Sequence, residues 1–140
     1  MSVPVNQRTQ SKLEVNLKAH DLCVYTLQIT KNKKIFTVEY QDALTDRIID
    51  ASIEIHTLCW QANNIRVTDP ELLQMRLILQ EQAAVKCNEL MALIELAKKV
   101  FHLSAKRAVF WTSKVIEVRR LIRAWKASDA KRYGDQYNGV

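Results

Sequence analysis

Glycine and proline are nearly missing from this 140-residue chain, which has two of each. Sandwiches and barrels of short strands need frequent tight turns, and tight turns draw on both residues. The same scarcity excludes collagen-like and linker-rich chains. Gly134 and Gly139 both lie near the C-terminus, so no glycine-rich loop is placed to cradle a phosphate. No apolar run approaches the ~18 residues of a membrane span. The opening stretch, Met1 to Lys12, lacks the apolar centre of a secretory signal. Cys23, Cys59 and Cys87 are odd in number and widely spaced, which is no disulfide framework. They read as reduced thiols of a cytoplasmic protein.

What is present is apolar content and positive charge. Hydrophobic residues make up 48% of the chain, enough for a sizeable core in one domain, and the formal net charge is +6. Residues 1–103 carry twelve basic and twelve acidic side chains. Residues 104–140 carry Lys106, Arg107, Lys114, Arg119, Arg120, Arg123, Lys126, Lys131 and Arg132 against Glu117, Asp129 and Asp135. The final segment therefore holds the entire net charge. A solvated face needs no partner but favours mixed signs. A one-sign segment on a neutral body points to an anionic partner, of which nucleic acid is the commonest.

Apolar periodicity predicts four helices, near residues 12–33, 38–65, 70–102 and 105–128. Ser11 and Glu14 have the spacing of a capping box. Leu13, Leu17, Val24 and Leu27 form the apolar stripe of the first helix, widened by Leu22, Tyr25 and Ile29. Lys31, Lys33 and Lys34 suit its C-terminus. Thr37 is the expected N-cap of the second helix, whose seam is Leu44, Ile48, Ala51, Ile55, Leu58 and Ala62. Asp69 followed by Pro70 is the clearest helix start. The third seam runs Leu72, Met75, Leu79, Ala83, Cys87, Leu90, Ile94, Ala97 and Phe101. Ser104 caps the fourth, whose seam is Ala108, Trp111, Val115, Val118, Ile122 and Trp125. Short joints between long helices favour antiparallel neighbours. The expected architecture is an all-α, up-down-up-down antiparallel four-helix bundle over 12–128, with flexible tails at 1–11 and 129–140.

Catalytic patterns fail on spacing. Di-iron bundles need Glu-x-x-His pairs, but Leu17, Ile53 and Lys99 stand three residues before His20, His56 and His102. Arg47 is too far from His56 for the helical nucleases that pair an arginine with a nearby histidine. No Ser/His/Asp or Cys/His nucleophile arrangement stands out, so we expect no enzyme and no cofactor. His20-Cys23 and His56-Cys59 repeat a His-x-x-Cys pattern that on adjacent helices could offer two nitrogens and two sulfurs to zinc. Buried small cysteines beside partly buried histidines is the simpler reading, and no metal is expected. Trp111 and Trp125 fall on the seam of the basic helix, where aromatics serve core or interface more often than base stacking.

Three stretches carry a family resemblance: Tyr25-Thr26-Leu27-Gln28-Ile29-Thr30 with Phe36; Trp60-Gln61-Ala62-Asn63-Asn64-Ile65-Arg66; and Ser104-Ala105-Lys106-Arg107 running on to Trp125-Lys126-Ala127-Ser128-Asp129-Ala130-Lys131-Arg132-Tyr133. In this order they resemble the accessory variability determinant (Avd) proteins of diversity-generating retroelements, over about residues 8–134. The resemblance implies a small basic four-helix bundle, assembled as a homopentameric ring. It also implies a non-catalytic role, binding RNA and/or DNA and the retroelement's reverse transcriptase during mutagenic copying of a template-repeat RNA. The broader superfamily includes bundles encoded in ribosomal RNA intervening sequences. A purely protein-binding bundle that docks an acidic partner is a separate alternative.

The resemblance and the charge distribution converge on the fourth helix. At 100° per residue Arg119, Arg123 and Lys126 fall within about 60° of one another. With Arg120 they form the expected nucleic-acid ridge, assisted by Lys106, Arg107 and Lys114. Apolar residues beyond the seams (Val15, Leu22, Leu77, Ile78 and Leu93) suggest a closed homo-oligomer.

Overall fold

The helix start best marked in the sequence is also well formed in the computed structural model. Its description covers the backbone of residues 5–137 and the side chains of residues 14–137. Asp69 stands in extended backbone, and its Oδ1 accepts the Leu72 N–H at 2.9 Å while Pro70 opens the first turn. This begins α3, Pro70–Val100. Downstream, the Ser104 hydroxyl oxygen accepts the Arg107 N–H at 3.2 Å and starts α4, Ala105–Tyr137. Between them His102 takes a left-handed conformation, φ 55°, and the Leu103 N–H reaches back to the Lys98 carbonyl at 3.1 Å. That is a Schellman-type helix ending with histidine where glycine is usual.

The other long helices are α1, Val5–Thr30, and α2, Asp46–Asn64. Among the described residues there is no strand, and the architecture is four-helix and all-α. No described helix is long and apolar enough to cross a membrane. The most extensive packing joins α1 to α2, α2 to α3, α3 to α4 and α4 to α1. Ile48, Ile55, Leu90, Ile94, Trp111, Val115 and Ile122 are fully enclosed between them. The seams expected for the second and fourth helices, and for the third from Ala83 onward, therefore hold in large part; before Ala83 the third helix turns Leu73, Arg76 and Gln80 inward and leaves Met75 53% exposed.

The first seam does not. Leu17 is 55% exposed, and Val24 and Leu27 are also exposed. The face turned inward is Val15, Ala19, Leu22, Cys23, Thr26 and Thr30. Two threonines on it look polar in sequence but are satisfied inside: Thr30 Oγ1 donates to the Thr26 carbonyl at 2.7 Å, and Thr26 Oγ1 accepts the Trp111 indole N–H at 3.1 Å. Val15 and Leu22, expected as surplus for a subunit contact, are core residues. Leu93 packs against that core, while Ile78 is exposed as expected.

Three boundaries also differ. Helix α1 begins at Val5, so Ser11 lies inside it and not at a cap; no glycine or proline interrupts residues 5–30. The remainder of the expected N-terminal tail, residues 1–4, lies outside the described residues, as do residues 138–140. Thr37 makes no side-chain cap bond and leads into a 3-10 turn, Val38–Tyr40, and a π turn, Gln41–Thr45. Regular α geometry in the second helix starts only at Asp46.

The expected C-terminal tail is a helix through Tyr137. The reason is Asp129, a buried carboxylate that ties three elements together. Its Oδ2 accepts from Arg76 Nε at 2.8 Å and from Gln80 Nε2 at 2.7 Å, both on α3. Arg76 Nη1 continues to the Ile65 carbonyl, 3.1 Å away in the joint after α2. The Arg76 guanidinium also lies 5.2 Å from the Trp125 ring centroid. Arg132 closes on the other Asp129 oxygen at 3.3 Å and stacks 4.2 Å from the Tyr133 centroid. The Ser-Asp-x-x-Arg-Tyr segment thus fastens the end of α4 to the body.

Candidate nucleic-acid interface

The residues of the expected ridge and their assistants fall into three places. Arg119, Arg123 and Lys126 keep the common flank anticipated from helical geometry, and that flank faces α3. Arg119 Nη1 donates to Asn88 Oδ1 at 2.7 Å, and Lys126 Nζ pairs with Glu81 Oε2 at 2.9 Å. Arg123 lies between them, exposed and near enough to influence the ionisation of Glu81 and Cys87. Among the described residues it has no ion-pair partner.

Arg120 does not join this flank. It turns outward and grips Glu117 through Nη2 at 2.7 Å and Nε at 3.1 Å, with Lys18 of α1 in range of Glu117. One residue is a 100° step on a helix, which separates Arg120 from Arg119. The pairings leave a mark on the carboxylates. The Lys126 hydrogen bond holds the Glu81 carboxyl below its ordinary pKa, and the Arg120 hydrogen bond does the same to Glu117.

Lys106, Arg107 and Lys114 form the third place, at the start of α4. Arg107 and Arg123 are separated by roughly 24 Å of helix at 1.5 Å per residue. Lys106 and Arg107 are exposed. The Lys114 ammonium lies 5.0 Å from the Phe110 ring centroid and 5.3 Å from that of Tyr25. Among the described residues, none of these three cations has an ion-pair partner.

Folding adds cations to this end that counting along the chain did not associate with α4. Phe36, after α1, packs 4.9 Å from Phe101 and 6.1 Å from Trp111, centroid to centroid. The joint between α1 and α2 therefore meets the joint between α3 and α4. Lys31, Lys33 and Lys34 come to the same end as Lys98, Lys99, Lys106 and Arg107. Lys33 is held by neutral acceptors, the Thr30 carbonyl at 3.0 Å and Gln41 Oε1 at 2.6 Å. Glu39 and Asp42 are the exposed carboxylates of the first joint. The sequence signal was the lysine-rich end of each odd-numbered helix.

The two His-x-x-Cys pairs separate into surface and core. The His20 and His56 rings meet at 5.7 Å, but Cys23 and Cys59 are buried. Among the described residues no group of three or more His, Cys, Asp or Glu side chains is arranged to hold a metal. Burial pushes the Cys59 and Cys87 thiols up to about 12, which keeps them protonated and unreactive at neutral pH. Trp111 and Trp125 fill the core, whereas Trp60 is 60% exposed beside His56. Compared with family models, curated proteins and solved structures, the chain matches none of them.

Proposed function

We propose that this chain is a non-catalytic accessory protein that binds RNA or DNA together with a reverse transcriptase, in the manner of the Avd proteins of diversity-generating retroelements. The observation that carries the reading is charge: α4 and its flanks hold the whole +6 of the protein, displayed on one long helix. A row of cations on a rigid rod suits phosphate contacts, which position a strand without reading its bases. The up-down-up-down arrangement is part of the proposal. It is supported by packing between successive helices and between α1 and α4, and by the contact between the first and third joints. Assembly of several copies is supported by the exposed stripe Leu17, Val24 and Leu27 on α1, since a row of large apolar residues in water favours burial against another surface. Five copies follow the family resemblance, and a ring would multiply the cations available to one strand.

Binding of RNA and DNA measured at two salt concentrations tests the reading, with wild type compared to the Arg119→Glu/Arg120→Glu/Arg123→Glu variant. Wild type should show a steep salt dependence, with a slope of about −0.7 per phosphate contact on single strands. The variant should bind more weakly with a shallower slope and unchanged helix content and oligomer mass. Identical binding would reduce the ridge to a solvated face. Polymerase capture without any affinity for nucleic acid would make this a protein-only bundle.

A further inference from the structure

Phosphate contacts leave unused the aromatic pair at the start of α4. Phe110 is 52% exposed and meets Tyr25 of α1 edge-on, with centroids 5.4 Å apart. The Lys114 ammonium stands about equally close to both rings. Arg107 is near enough to act on the Tyr25 phenol, and Lys106 is exposed one residue before it. Glu117, one turn beyond Lys114, is gripped by Arg120, and Asp21 of α1 lines the same surface hollow as Lys114 without forming an ion pair with it. Burial raises the Tyr25 phenol above its ordinary pKa, so it stays neutral and does not repel a phosphate.

Building on the nucleic-acid reading, we propose that Phe110, braced edge-on by the partly buried Tyr25, forms a base-stacking step for single-stranded nucleic acid, with Lys106, Arg107 and Lys114 holding the adjoining phosphates. An aromatic face in water beside unpaired cations matches both halves of a nucleotide: the ring stacks on the base and the cations take the backbone. A duplex keeps its base faces stacked internally and offers only the phosphates. Phe110, Tyr25 and Arg107 would suit a protein interface too, but lysine is depleted at the centres of such interfaces, and Lys114 sits at the centre of this cluster.

The test is fluorescence anisotropy with unstructured oligo-U, with oligo-dT and with a duplex of equal length. The proteins compared are wild type, Phe110→Ala and Phe110→Trp. Phe110→Ala should weaken single-strand binding roughly tenfold, leave duplex binding and the salt slope unchanged, and be rescued by Phe110→Trp. Preference for oligo-U over oligo-dT or the reverse identifies the strand and supports stacking either way. An equal loss on duplex and single strands overturns the proposal. So does unchanged oligonucleotide binding, including the case where Phe110→Ala only lowers the oligomer mass. If wild type binds no nucleic acid, the proposed function fails as well; if it binds with a salt slope that Phe110→Ala leaves intact at equal affinity, only the stacking step fails.

Discussion

Between Ala105 and Lys114 the cations of α4 have no paired carboxylate among the described residues, and Lys114 lies over two aromatic rings. Between Glu117 and Arg132 most are already engaged: Arg120 by Glu117, Lys126 by Glu81, Arg132 by Asp129 and Arg119 by Asn88. By sequence the first stretch contributes +3 and the second +4, yet the second does not offer the larger charge to a partner. A phosphate arriving at Lys126 must compete with a carboxylate 2.9 Å away; one arriving at Arg107 competes with water. Charge read along a chain is a sum, whereas a ligand meets what intramolecular pairing has left over.

The later stretch owes its order to a buried pair, and removing that pair is the most damaging way to break the contrast. Asp129→Ala leaves the Arg76 guanidinium enclosed without its anion. We expect a loss of about 3–5 kcal/mol, read as a lower urea midpoint, with faster amide exchange over residues 126–137. Arg76→Met should cost a similar amount. The double variant Arg76→Met/Asp129→Leu should be more stable than either single one, because no unpaired charge remains. The early stretch has a lesser tie of its own. Thr26→Val removes the acceptor of the Trp111 indole N–H, and an unsatisfied buried donor costs about 1–3 kcal/mol. That loss should appear in tryptophan-monitored denaturation while exchange over 126–137 is spared.

Helix positions and most of three of the four inner faces were legible because large apolar residues recur at strict spacing, as in Val115, Val118 and Ile122. The Asp69-Pro70 start was legible because its chemistry is local. Helix α1 was misread for the opposite reason. Its inner face uses Ala19, Thr26 and Thr30, which score as small or polar until a carbonyl and an indole in the folded chain satisfy the hydroxyls. Helicity beyond Ser128 was hidden because it depends on Arg76 and Gln80, far away in sequence. The basic flank was legible in angle: Arg119, Arg123 and Lys126 do share a side. Its neutralisation was not, since Glu81 is 45 residues from Lys126 and nothing in the local pattern pairs them. The lysines of the first joint needed the Phe36–Phe101 contact to bring them beside α4.

The smallest expected effect is the sharpest probe of the contrast, because it adds binding. Glu81→Gln and Glu117→Gln release Lys126 and Arg120 without touching a cation. Fold stability should barely change, since water and salt screen pairs as exposed as these. Nucleic-acid affinity should rise a few-fold, and the salt slope should steepen by up to about 0.7 for each cation that gains a phosphate. Glu71→Gln, at an exposed carboxylate with no ion-pair partner among the described residues, makes the same change in net charge and should leave the slope unaltered. Acidification cannot replace these substitutions near neutrality. Both carboxyls titrate below their ordinary pKa in the folded protein, so each pair is fully present above the unfolded carboxylate value of about 4.3 and is lost only as pH falls through the depressed folded value. If the two glutamine variants bind no better than the Glu71 control, the later cations do not touch the strand. The first turns of α4, with Phe110, Tyr25 and the lysines of the joints, would then carry the contact alone.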